Sequence, residues 1–202
     1  MFALIDNEQI TKHISGNKGI TIGDVQYPRS IFTLWSEAER NAIGIYEVTV
    51  DTTNKKDEAY YINTNVSYGV ESNKAVGSYG TATAKALADA NATDDDGEEL
   101  DPVIVIEGLK TKHKRIIKQQ ASGLLTPTDW YILKATDVES YSVPSAITTY
   151  RANVRTKSND MEVLIDACST VDELATLYKY VNTGTEENPV MERPLGEFPE
   201  AV

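Results

Sequence analysis

The chain has 202 residues, 41% of them hydrophobic, enough to fill the core of one large domain or two small ones. Its 31 acidic against 19 basic side chains give a net charge of −12, which repels phosphate backbones and argues against general nucleic-acid binding. The apolar runs fall far short of the about 18 residues that cross a bilayer. The first residues lack the basic and apolar regions of a signal peptide, and a single cysteine, Cys168, rules out an intrachain disulfide framework. The expectation is a protein made and folded in a cytoplasm, with neither nucleic acid nor membrane as a partner.

The N-terminal part reads as β. Residues 2–6 and 10–14 flank Asn7-Glu8-Gln9 and predict a hairpin with a three-residue loop. Gly16 and Gly19 mark a loop, and Tyr27 before Pro28 is held extended. A short helix is expected over residues 36–43: Ser36 caps it, Glu37 and Glu39 favour its first turn, and Gly44 ends it. Residues 45–50 predict a strand. Residues 58–83, rich in tyrosine and valine, predict several more, with a turn at residues 71–74. Alanines and the run Asp94-Asp95-Asp96-Gly97-Glu98-Glu99 make residues 82–101 a solvated loop and the best candidate boundary.

The C-terminal part reads as α. Leu109, His113, Ile116, Ile117, Gln120 and Leu124 recur on one face of a helix. Thr126-Pro127-Thr128-Asp129 predicts a helix start with Thr126 as cap and Pro127 in the first helical position. Pro144 predicts another helix to about Lys157, with Ile147, Tyr150 and Val154 on one face. Residues 161–168 and 171–181 continue the bundle, the last of these behind the capping box Thr170-Val171-Asp172-Glu173. Three prolines and five glutamates make residues 182–202 an extended acidic arm.

The expected fold class is therefore α+β: a β-rich N-terminal domain over residues 1–106 with an acidic loop at 89–101, a helical module over 107–181, and the arm over 182–202. Residues 107–157 hold nine basic and four acidic side chains, a basic segment in an acidic chain. Either that face is solvated or pairs with the chain's own acids, or it docks an acidic partner.

Tests for chemistry return little. His13 and His113 lie at no metal-ligand spacing from another His or Cys. Cys168 sits beside Leu164 and Ile165 and reads as a buried, inert thiol. With Gly97 at position 6 of a calcium loop, positions 1 and 12 become Ala92 and Val103, so an EF-hand is excluded. No nucleophile elbow, phosphate loop or dinucleotide glycine pattern occurs. The expectation is no catalytic, cofactor or metal site.

One segment carries a resemblance. Leu124-Leu125-Thr126-Pro127-Thr128-Asp129-Trp130-Tyr131, then Pro144, then Tyr150-Arg151-Ala152-Asn153-Val154-Arg155, resembles a module of bacteriophage proteins described as tail assembly chaperones or tail-fibre-associated proteins. The likeness covers roughly residues 108–177. Tyr27-Pro28-Arg29, Leu34-Trp35-Ser36 and Ile43-Gly44-Ile45-Tyr46 are similar to the N-terminal part of tail proteins that carry this module. The resemblance implies a non-enzymatic structural component near the tail fibres or baseplate that connects other tail proteins. An assembly chaperone absent from the virion is the alternative. The tyrosine-rich strands suggest a third reading, a carbohydrate-binding host-recognition module.

Candidate partner-binding residues are Trp130, Tyr131, Tyr150, Arg151 and Arg155 in the module, and Met191, Leu195 and Phe198 in the arm. Expected partners are other tail or tail-fibre proteins and possibly a second copy of the chain. A competing expectation is that Trp130 packs under Tyr150, with Asp129 capping or paired to an arginine, and that these residues only maintain the fold.

Overall fold

A computed structural model describes every residue of the chain except Asn73. Helices hold 34% of the residues and strands 25%, with the long strands gathered in the N-terminal part and the long helices near the C-terminus, an α+β protein. Contacts divide it into two units, residues 1–83 and 84–202. That division falls inside the loop segment that begins at residue 82, well before the boundary expected at residue 106.

The first unit starts with β1 (Phe2–Asp6) and β2 (Gln9–Ile14). Asp6 pairs with Gln9, so the loop is two residues rather than three. Asn7 and Glu8 take φ of 49° and 60°, the left-handed geometry that matches the twist of a tight hairpin. A small hairpin, β3 (Ile20–Ile22) with β4 (Val25–Tyr27), follows. Then come α1 (Ile31–Leu34), which the sequence pattern did not signal, and α2 (Glu37–Asn41). Ser36 and Glu39 form the reciprocal capping box at the start of α2. Gly44, at φ 78°, turns the chain into β5 (Ile45–Asp51); a Cβ there would stand 2.9 Å from the Ile5 carbonyl oxygen.

Past a two-residue strand, β6 (Tyr61–Ile62), the hairpin β7 (Val66–Glu71) and β8 (Lys74–Tyr79) completes a five-stranded sheet. Its order is β2-β1-β5-β8-β7, with β5 and β8 parallel and the other pairs antiparallel. In the expected turn at residues 71–74, Ser72 has φ 49°, while Asn73 lies outside the described residues. The His13 ring on one edge strand stands 4.7 Å from the Tyr68 ring on the other, so the sheet curls until its edges meet.

The core of this unit holds Ile14, Ile20, Ile31, Phe32 and Ile45, with Phe2, Tyr27, Trp35 and Ile43 packed on it. Tyr27 meets Trp35 edge to face at 5.9 Å. Of the N-terminal residues that carry the resemblance, Ile45 belongs to this core and Tyr27, Trp35 and Ile43 pack on it, while Leu34 is 79% exposed.

A short strand, β9 (Thr83–Ala84), lies at the junction. Residues 82–101 prove more ordered than a loop. β10 (Ala90–Asn91) pairs with β11 (Val105–Ile106), and Asp94 closes the turn between them by accepting the Asp96 and Glu98 amides, each at 3.0 Å.

The helices follow: α3 (Leu109–Leu125), a 3-10 turn (Thr126–Thr128), α4 (Asp129–Asp137), α5 (Ser145–Ala167) and α6 (Val171–Leu177). Thr126 is no N-cap: its hydroxyl donates back to the Ser122 carbonyl at 2.8 Å, and it begins the 3-10 turn, with Pro127 second rather than first. The two helices expected on either side of Lys157 are one, 23 residues long, and Ser145 to Ala167 run without a break. Ile147, Tyr150, Val154, Met161 and Ile165 keep a buried stripe along it, against Leu109, Ile117 and Ala121 of α3. Thr170 and Glu173 form the expected capping box of α6.

The expected arm does not stand free. β12 (Val181–Asn182) and β13 (Met191–Glu192) make a hairpin, and the chain then returns to the helices. The Leu195 amide donates to the Leu177 carbonyl at 3.0 Å, its side chain is fully buried, and Phe198 packs on Ala121, Tyr150 and Val154.

Candidate interaction surface

The segment with the resemblance builds a corner where α3 turns into α4 beside the first turns of α5. Arg151 holds it. The residue is 7% exposed, and its guanidinium donates to the Leu125 carbonyl at 3.0 Å and to the Thr128 hydroxyl at 2.6 Å. It also pairs with Asp129 at 2.8 Å. A buried guanidinium requires such a set of acceptors, because each unmet N–H in a low dielectric costs free energy. The Tyr150 hydroxyl donates to the Leu124 carbonyl at 3.4 Å, and its ring is buried against Ala121 and Val154.

Tyr150 and Arg151 are therefore inward residues of the corner, and as candidates for touching a partner they are corrected. Leu195, fully buried, is corrected for the same reason, while Phe198 is half-buried and rests on Ala121, Tyr150 and Val154 of its own unit. Arg155 is exposed and, among the described residues, donates only to the Arg151 carbonyl at 3.4 Å. Met191 is 56% exposed on the terminal hairpin.

Trp130 differs from the expectation that it packs under Tyr150. It is 49% exposed and lies against the neighbouring Tyr131 ring at 3.8 Å. Lys134 reaches over Trp130 at 5.9 Å and over Tyr141 at 4.4 Å. No residue of α4 is buried; Ile132 is 42% exposed and Leu133 66%. The helix is joined to its unit chiefly through the 3-10 turn and Asp129, so most of its apolar surface faces outward. Leu133 was missed as a candidate, since periodicity identifies an apolar face without saying whether anything covers it.

The basic segment pairs in part with the chain's own acids. Lys114 meets Asp166 at 2.8 Å, Arg115 meets Glu107 at 3.0 Å, and Lys118 meets Glu162 at 3.1 Å. Asp89 accepts from the Gly108 amide at 2.8 Å and from the Thr111 hydroxyl at 2.9 Å, capping α3 from a loop. Those two hydrogen bonds, the Gly108 amide first, lower its pKa. Gly108 suits this approach, since a Cβ would come within 2.3 Å of the Ala88 carbonyl oxygen.

The His113 ring lies tilted against that of Tyr178, 4.8 Å between centroids, and burial lowers its pKa. Burial, with Glu173 adding to it, raises the Cys168 thiol; the residue caps the C-terminal end of α5. Among the described residues, no three His, Cys, Asp or Glu side chains are grouped to hold a metal ion, and no helix is long and apolar enough to cross a membrane. No family model matches the chain, and neither a curated protein nor a solved structure matches it.

Proposed function

We propose that this chain is a non-catalytic component of a bacteriophage tail, placed near the fibres or baseplate, where it connects other tail proteins. The observation that carries the reading is α4, which holds Trp130, Ile132 and Leu133 outward from a corner fixed by a buried arginine. Tryptophan beside aliphatic side chains on a rigid support is the chemistry of a protein-binding anchor, because much apolar area is covered at little cost in side-chain entropy. The resemblance of the same residues to tail-associated proteins supplies the setting, the tail of a virion assembled in a host cytoplasm. Val103, Ile104, Val105 and Ile106, each more than half exposed, offer a second apolar strip to a neighbour.

Mass spectrometry of purified virions tests the reading. A tail component is found in virions at a constant ratio to the other tail proteins, and Trp130→Ser together with Leu133→Ser removes it. A chaperone is abundant in the infected lysate and absent from virions. Normal, infective tails assembled without the chain overturn both.

A further inference from the structure

The hairpin of β10 and β11 carries an open edge. No residue of 90–106 is buried. Val103, Ile104, Val105 and Ile106 are each more than half exposed, so both faces of the strand meet water. Two strands alone are marginal in water, and a further strand or a packed helix is what stabilises them. Edge strands that remain single are blunted by lysine or proline. Residues 103–106 hold neither: the run is four β-branched side chains without a charge.

The backbone of this edge is set for pairing. Ala90 stands opposite Ile106 and Asn91 opposite Val105, and the Ile104 carbonyl accepts the Ala92 amide at 2.7 Å. Ile104 and Ile106 thus direct their amides and carbonyls at β10. Alternate residues of a strand direct theirs the other way, so those of Val103 and Val105 point to the open edge. Among the described residues no hydrogen bond meets them there. The pattern is also self-complementary. Turned about a two-fold axis at Ile104, a second copy sets its Val105 opposite Val103, and its Val103 opposite Val105. Each such pair exchanges both its hydrogen bonds, with Ile104 against its own copy between them. At the ends Asp101 falls opposite Glu107, whose charge Arg115 already meets at 3.0 Å. Moving the axis to Val105 would instead set Glu107 against Val103, which disfavours that register.

We propose that β11 pairs antiparallel with β11 of a second copy of the chain, across a two-fold axis at Ile104, so that two hairpins form one four-stranded sheet. Copies that each carry −12 repel over most of their surface. The uncharged strip from Pro102 to Ile106 lets them meet without opposing like charges, and two-fold pairing closes the assembly at two. The strands are short, so the contact is smaller than a standard interface and a Kd of about 10–100 µM is expected. This names the neighbour of the strip and does not rest on the tail reading: solution mass tests the one, virion content the other.

The test is sedimentation equilibrium of the full-length chain from about 1 to 500 µM. The mass should rise from one chain to two and stop there. Val105→Pro removes an outward amide and leaves the bonds to β10 in place, so it should weaken the dimer at least about tenfold with an unchanged circular dichroism spectrum. Ile104→Cys places the new thiol about 4.5 Å from its own copy, Cα to Cα, and should cross-link on oxidation. Ile62→Cys, 60% exposed on another strand, should not. A single-chain mass throughout, masses that climb beyond two, or a Val105→Pro dimer as tight as wild type would each overturn the proposal. So would Ile104→Cys cross-linking no faster than Ile62→Cys. A monomeric chain whose β11 amides shift saturably with acetyl-Lys-Val-Ile-Val-Ile-Lys-amide would also overturn it, by giving the edge to a strand of another protein.

Discussion

Arg151 and Asp129 meet at 2.8 Å across the corner of the helical unit, the arginine buried and the aspartate side chain 52% exposed. The geometry is asymmetric: the same guanidinium also holds the Leu125 carbonyl and the Thr128 hydroxyl. Arg151 therefore fixes where α3 ends and α4 begins, while Asp129 adds one partly screened ion pair. The direction in which α4 presents Trp130 follows from the arginine.

Arg151→Met should cost about 2–4 kcal/mol, since it strips buried acceptors of their donor. Asp129→Asn should cost less than about 1 kcal/mol, and Arg155→Gln, on the exposed side, less than about 0.5 kcal/mol. Urea midpoints of the three variants check the ranking. A midpoint for Arg151→Met equal to that of Arg155→Gln would remove the arginine from its role in the corner.

A tryptophan in a helical module invites the expectation of a core anchor, whose truncation would cost about 3–5 kcal/mol. The exposure of Trp130 reverses that. Trp130→Ala should change stability by less than about 1 kcal/mol, whereas Leu174→Ala, at a fully buried position, should cost about 2–5 kcal/mol. Comparable losses in thermal melts of the two variants would place Trp130 in the core and remove the anchor.

Two groups make stability fall toward acid in separate windows. His113, whose pKa burial depresses below the usual 6.5, binds fewer protons folded than unfolded. Its stabilising contribution is thus complete above the unfolded pKa and declines as pH drops below 6.5. Asp89, depressed from 3.8 by the Gly108 amide and the Thr111 hydroxyl, contributes above that value and loses its contribution as pH falls through the folded pKa. Melting temperatures across pH should show the loss just below 6.5 flattened in His113→Gln and kept in Asp89→Asn. Parallel curves for wild type and His113→Gln would show that the histidine is not the titrating group.

What the sequence made legible was local. Ser36 with Glu39 and Thr170 with Glu173 announce their helices because a capping box satisfies orphan amides within four residues, whatever the rest of the chain does. The break expected after Lys157 failed for the opposite reason. Ser158, Asn159 and Asp160 favour turns in isolation, but Val154 and Met161, both fully buried, keep the buried stripe continuous across them. Burial itself was least legible. Trp130 and Leu195 are both large and apolar, and only the packing of α4 and of the terminal segment says that one is exposed and the other enclosed.

The terminal segment decides how much of the helical unit is self-contained. Its prolines at 189, 194 and 199 and its five glutamates suggest an arm that could be removed without loss of stability. The structure points the other way: Leu195 has no exposed surface, its amide bonds to the last turn of α6, and Phe198 lies on Ala121, Tyr150 and Val154. Arg193 adds an ion pair with Glu197 at 2.7 Å, and the Tyr180 hydroxyl donates to Glu197 at 2.5 Å, tying the returning chain to the end of the helical unit. Leu195→Ala should therefore cost about 2–5 kcal/mol. Deleting residues 182–202 should lower the melting temperature of the helical unit by about 10 °C. Met191→Ser, at an exposed position of the hairpin, should cost less than about 0.5 kcal/mol. Hydrogen exchange locates the effect, with protection expected to fall in α6 and around Ala121 in the deletion variant. An unchanged melting temperature together with unchanged protection at those amides would mean that the segment is an arm after all, free to lie along a neighbour.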